Sequence, residues 1–256
     1  MPDTVPPLDH APIEHVKPYV HTSLTTRALH FSICEIQSRM LILDPTALEL
    51  AYTRTMMGFL LFKPEPRHMA MVGLGGGSLV KFCHRHLPGL RITVAELNPH
   101  VIALRDDFCI PPDDERLNVL QTDGAQWVAE STDRPDLLVI DGFDSDGQPA
   151  ELCSQTFYDD CHALLAVDGL LVVNLHSGHR LFDRYLGRIQ RSFANAVLVV
   201  DDEDGSNSIV FAFKPDTWAQ AHRHPPQRPR GLARKAADSL KPALDRVMTR
   251  WAEVRA

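Results

Sequence analysis

The feature that most constrains this chain is a glycine loop followed one βα unit later by a carboxylate: Gly73-Leu74-Gly75-Gly76-Gly77-Ser78, then Ala95-Glu96-Leu97-Asn98-Pro99. Residues 68–72 are apolar enough for a buried strand, and residues 78–87 read as a helix whose N-terminus faces the loop. Glycines let the backbone approach a ligand closely. Glu96 closes the next strand, predicted over 91–95, about 20 residues beyond the loop, where an acidic side chain accepts hydrogen bonds from both hydroxyls of a ribose. The pairing predicts a nucleoside site.

A dinucleotide fingerprint would need glycine at position 78, where Ser78 stands, and a P-loop would need Lys followed by Ser or Thr, which is absent. Two further carboxylates narrow the choice. Asp123, with Gly124 beside it, follows a strand predicted over 117–121, and Asp141 ends one predicted over 136–140. Acidic residues at the carboxyl ends of successive strands suit a ligand with a ribose, an adenine amino group and a cationic centre, and suit a pyrophosphate badly. S-adenosylmethionine or its decarboxylated form fits. Either aspartate alone could equally cap a helix or a turn. Their shared period with Glu96 favours the ligand.

The composition of the 256 residues, 44% hydrophobic and 23% charged, is that of an ordinary globular protein with one substantial core. The start of the sequence has neither a basic nor an apolar leader segment, and no run approaches a membrane span, so a cytoplasmic protein is expected. Five cysteines without a C-x-x-C pair and thirteen scattered histidines predict no metal and no disulfide framework. From Asp216 onward nine Lys/Arg face four Asp/Glu, a charge of +5; with a total of −7 the remainder carries −12. An acidic body attracts cationic ligands.

Along the chain, the reading expects an extended arm over 1–20, a β-hairpin region over 21–46 (strands 28–35 and 38–43), a nucleoside-binding Rossmann-like domain over 47–215, and a basic linker with an amphipathic helix over 216–256. A helix over 47–62 leads into the glycine-loop strand. Strands and helices then alternate (helices 99–108, 124–130, 154–166 and 180–194; strands 117–121, 136–140 and 169–175), which demands a parallel, doubly wound sheet. A polar turn over 201–207 should join a final antiparallel pair, giving a seven-stranded α/β methyltransferase-like fold. Leu240, Leu244, Val247, Trp251 and Val254 recur at helical spacing, the face of a helix docked on its own domain or on a second subunit.

GLGGGS (73–78), AELNP (95–99), TDGAQW (122–127) and VIDGFDSDGQPAELCSQTFY (139–158) together resemble the spermidine synthase (polyamine aminopropyltransferase) family. The last block is the most specific, with Asp141 and Asp144 three apart, then Pro149-Ala150 and Phe157-Tyr158. The resemblance implies an in-line displacement at the carbon attached to a sulfonium, with an amine acceptor and no metal. It implies that Asp141 holds or deprotonates the amine, that Asp144 grips its cationic chain, and that Tyr52 and Tyr158 border the acceptor. Glu96 would hold the ribose and Asp123 the adenine amino group, beside Gly73, Gly75, Gly76, Gly77, Ser78 and Gly124. A homodimer is expected; a membrane or nucleic acid partner is not.

Departures accompany the matches. The family carries an aspartate directly after the three glycines, where Ser78 stands; of a glutamine and a Tyr-His pair only Tyr52 remains, with Leu48 near the glutamine's place and Thr53 beside Tyr52. Three readings follow. An aminopropyltransferase-like enzyme using the decarboxylated donor is favoured by the Asp141/Asp144 loop. A methyltransferase or other alkyltransferase using intact S-adenosylmethionine is favoured by Ser78. A non-catalytic nucleoside-binding relative is the third.

Overall fold

Runs of Val, Ile, Leu and Met without polar alternation must be covered on both faces, and the chain satisfies this with a sheet between two helical layers. The computed structural model describes residues 15–31, 36–143 and 147–255. The main sheet contains β4 (His68–Val72), β5 (Arg91–Glu96), β6 (Leu117–Gln121), β7 (Leu137–Ile140), β8 (Leu170–His176), β9 (Val197–Asp201) and β10 (Asn207–Phe213), as numbered after three N-terminal strands. Its order is β6-β5-β4-β7-β8-β10-β9; β10 runs antiparallel to both neighbours and the remaining pairs are parallel. This is the seven-stranded arrangement expected from the sequence. The strand order reverses between β4 and β7, so a crevice opens at their carboxyl ends.

Alternate residues of β4 feed two cores. Met69 and Met71 face the side covered by α1 (Ala51–Met56), α2 (Ser78–His86) and α8 (Arg234–Arg255). Ala70 and Val72 face α4 (Gly124–Glu130), α5 (Gln155–Leu164) and α6 (Phe182–Ser192). Gly124 is needed for this packing: a Cβ there would lie 2.3 Å from Cγ1 of Val72.

Several boundaries differ from expectation for physical reasons. The 47–62 helix is shorter: α1 begins at Ala51 and tightens into a 3-10 turn at Met57–Leu61. There Gly58 is pressed between Phe211 and Val247, each 2.9 Å from where its Cβ would be. The 99–108 helix contracts to α3 (Pro99–Ile102), followed by turns up to Cys109, whose φ is 54°. Part of the expected arm is a strand, β1 (Tyr19–Thr22), paired antiparallel with β2 (Thr26–His30), which pairs with β3 (Ser38–Leu41). The predicted strand over 28–35 extends into residues 32–35, which lie outside those described.

The C-terminal segment holds two helices rather than one. The first, α7 (Pro215–Arg223), has Pro at its first turn and Asp216 beside it, both favourable at a helix start. The second, α8, docks on its own domain against α1, the 3-10 turn and β9. Leu240, Leu244, Val247 and Trp251 are buried as the spacing predicts; Val254, one residue from the helix end, is exposed. Trp251 stands in an aromatic cluster, with ring centroids 5.2 Å from Phe62, 5.8 Å from Phe213 and 5.2 Å from Trp218. No described helix is long and apolar enough to cross a membrane.

Trp251→Ala should therefore destabilise the protein by about 3–5 kcal/mol, the cost of emptying a large buried aromatic site. Denaturant unfolding at equilibrium measures this. A loss below about 1 kcal/mol would show that α8 is an appendage.

Candidate active site

The crevice is a cavity of about 470 Å³ at the carboxyl edge of the sheet. Four loops floor it in the order of the strands: Asp123 after β6, Glu96 at the end of β5, Gly73–Ser78 after β4, and Asp141 after β7. With neighbouring strands roughly 4.8 Å apart, this row spans about 14 Å, the length of a nucleoside with a short tail. The small N-terminal sheet roofs the cavity through Phe31, Gln37 and Ser38.

The glycine loop owes its shape to close backbone contact. Gly73 has φ of 91°, and a Cβ on it would lie 2.4 Å from the carbonyl oxygen of Asp141. Gly77, with φ of 65°, is the N-cap of α2, and Ser78 opens the helix. The Ser78 hydroxyl lies 3.3 Å from that of Ser38 on β3.

Glu96 is buried, and the backbone amides of Leu74 and Asn98 donate to its Oε2 and Oε1, both at 2.8 Å. Burial raises its pKa; the surrounding amides of Asn98, Leu74, Gly75 and Leu97 oppose that rise. A carboxylate offers about four acceptor positions, and the two short bonds from Leu74 and Asn98 occupy two of them. Asp123 caps α4, accepting from the Gln126 amide at 2.8 Å, and also lines the cavity, so the capping and ligand readings coexist.

At the other end Asp141 is held from two sides. The Tyr52 hydroxyl donates to Oδ2 at 3.3 Å, and Asn174 Nδ2 donates to Oδ1 at 2.9 Å. Burial pushes the Asp141 carboxyl up from 3.8 to about 6, against the lowering effect of these two donors. Burial and the neighbouring carboxylate keep the Tyr52 hydroxyl well above its usual range, so it remains a donor. Among the described lining residues the carboxylates are Glu96, Asp123, Asp141 and Glu151, and none is Lys or Arg. Such a cavity favours cations.

The structure thus gathers Tyr52, Gly73, Gly75, Gly76, Ser78, Glu96, Asp123, Gly124 and Asp141 around one space. Gly77 caps the adjoining helix. Asp144 lies outside the described residues. Tyr158 is not brought to the cavity: it is fully buried in the core beneath α5, its ring 5.5 Å from that of Phe157. An aromatic residue in the first turn of a helix serves the core when that face meets the sheet, and sequence order alone does not give the face. Leu48 is likewise a core residue, whereas Thr53 lines the cavity. Sequence reasoning missed Gln37, Ser38, Asn98 and Asn174. For Asn174 a signal existed, since it is the single polar residue in the apolar run 170–175.

A family model described as the spermine/spermidine synthase domain matches residues 49–200. A polyamine aminopropyltransferase of Neisseria meningitidis serogroup A is 35% identical over 190 residues, covering 73% of this chain and 72% of the relative. A probable spermidine synthase of Corynebacterium glutamicum superposes with a TM-score of 0.66 at 22% identity, covering 77% of this chain and 76% of that one. A spermidine synthase crystallised with the transition-state analogue AdoDATO gives 0.60 at 18% identity, with 89% and 87% covered. At these structural identities the likeness shows the fold.

Removing a donor to the ionised Asp141 must favour its neutral form. Asn174→Leu should move the carboxyl titration upward from about 6, by about one pH unit. Carbon-detected NMR of the aspartate side chain reads this directly. An unchanged midpoint would mean that Asn174 does not support the charge.

Proposed function

The chain belongs to the spermine/spermidine synthase family, and from that premise we propose that it transfers an aminopropyl group from decarboxylated S-adenosylmethionine to a small-molecule amine. The observation that carries the proposal is the partly buried Asp141, held by Tyr52 and Asn174 across the glycine loop from Glu96, in a cavity whose described charged residues are carboxylates.

The roles follow from position. Asp123 and Leu97 border the base, Glu96 accepts from the ribose hydroxyls, and the glycine loop lies under the sulfonium. The amine enters at Asp141. A carboxyl near 6 is ionised at neutral pH, yet is a stronger base than a solvated aspartate. It orients the amine through a charge-assisted hydrogen bond and takes up a proton as nitrogen becomes cationic. The nitrogen–carbon bond forms as the carbon–sulfur bond breaks, and the electron pair of the latter goes to sulfur, leaving methylthioadenosine. Alignment and the anionic surroundings supply most of the acceleration, because carboxylate and alkyl ammonium differ widely in pKa. The proposal also carries over the homodimer and the cytoplasmic location expected from the sequence.

Incubation with decarboxylated donor and a diamine should release methylthioadenosine, and Asp141→Asn should lower kcat at least a hundredfold. No product with any di- or polyamine would overturn the reading. Glu96→Gln should weaken methylthioadenosine binding about tenfold or more by removing charge-assisted hydrogen bonds, with circular dichroism unchanged. Calorimetric affinity equal to wild type would remove Glu96 from the ribose.

Ser78 supports a second donor reading. A carboxylate at this position would favour a tail bearing only an amine and penalise one that also bears a carboxylate, by on the order of 1 kcal/mol. The Ser78 and Ser38 hydroxyls are neutral, so intact S-adenosylmethionine is expected to bind at least comparably. Ser78→Asp should shift preference toward the decarboxylated donor. Strong wild-type preference for that donor, with no further shift in the variant, would eliminate the second reading.

A further inference from the structure

One element of the cavity wall comes from far away in sequence. His15 and Val16 line it beside Leu97 and Asn98, although 80 residues separate the two pairs. The segment is fixed at two points. Asn98 Nδ2 donates to the Val16 carbonyl at 2.7 Å, and three residues later Tyr19 enters the β1–β2 ladder opposite His30. Pro18, buried between these anchors, restricts its own φ and holds Lys17 extended. So short a span, tied at both ends, has little freedom.

The clamp is coupled to the ribose carboxylate. The Asn98 backbone amide donates to Glu96 Oε1, while its side-chain oxygen accepts from the His100 amide at 2.9 Å and caps α3. One residue therefore joins Glu96, the start of α3 and the N-terminal segment. Val16 and Leu97 are large apolar side chains that both line the cavity yet leave 51% and 43% of their surface exposed. Apolar surface left open at the rim of a cavity suits a flat aromatic ring. In the strand order, this end adjoins Glu96 and Asp123, away from Asp141.

We propose that His15 and Val16, clamped by Asn98, form a strap that closes the base end of the nucleoside site, with Asn98 as its positioning residue. The proposal rests on the nucleoside reading given above. The strap extends the apolar border of the base beside Leu97, and His15 offers ring nitrogens to its edge.

Asn98→Asp separates the strap from the fold. Aspartate caps a helix as well as asparagine does and keeps the acceptor for His100, but cannot donate to the Val16 carbonyl. Val16→Gly removes the apolar wall and keeps the carbonyl. Methylthioadenosine is uncharged, so the new charge acts on it only weakly. Asn98→Asp should raise its calorimetric Kd five- to tenfold, the worth of one hydrogen bond; Val16→Gly should raise it at least threefold. In wild type, methylthioadenosine should slow hydrogen exchange at Val16 and Lys17. If Asn98→Asp lowers the thermal midpoint, Val16→Gly decides. Wild-type affinity in Val16→Gly, or exchange at Val16 and Lys17 unaltered by ligand, overturns the strap while leaving the nucleoside site standing. A wild-type protein that binds no methylthioadenosine overturns both.

Discussion

The site depends on a backbone contact between the loops that follow β4 and β7. Only a residue without Cβ can occupy position 73, because its φ is 91° and the Asp141 carbonyl oxygen would stand 2.4 Å from a side chain. The Gly73 amide meanwhile donates to the Ala95 carbonyl at 2.9 Å, and the Asp141 amide to the Val72 carbonyl at 3.0 Å. These bonds stitch the ends of β5, β4 and β7 together. Glu96 and Asp141 are thereby set on opposite sides of the glycine loop, at a separation fixed by strand spacing rather than by flexible side chains.

That placement has an electrostatic cost. The Asp141 carboxyl rises from 3.8 to about 6 because burial disfavours its charge more than Tyr52 and Asn174 favour it. A carboxyl raised in the fold binds its proton more tightly there than in the unfolded chain. Its stabilising contribution is complete below the unfolded value and is lost as pH rises through about 6. At neutral pH the site holds a charge that the fold alone does not favour. A cation beside the carboxylate would relieve this cost.

Segments distant in sequence complete the cavity. Tyr52 reaches Asp141 from α1, and α1 is seated against α8. The C-terminal aromatic cluster of Phe62, Phe213, Trp218 and Trp251 thus supports the element that carries a site residue. At the opposite end the N-terminal sheet supplies Ser38 to the glycine loop. Both appendages contribute to the site by packing.

Much was legible in the sequence because local patterns report local physics. Apolar runs marked the buried central strands, and β4, β6 and α4 have the expected limits, 68–72, 117–121 and 124–130. The glycine loop and the acidic residue at the next strand end were legible as neighbours around one cavity, since both fall within one βα unit. What the sequence could not decide was which distant groups meet. β1 reads as an arm because an edge strand takes its identity from its partner. Tyr158 reads as a site residue because the face of a helix turned toward the core is set by what packs on it. Asn174 and Ser38 acquire roles through neighbours 33 and 40 residues away, and Asn98, which caps α3 locally, also meets Val16 across 82 residues. Period and turn chemistry act over a few residues and are written in the chain; the partners of a side chain depend on how layers close over one another, and that is settled only when the whole core is packed.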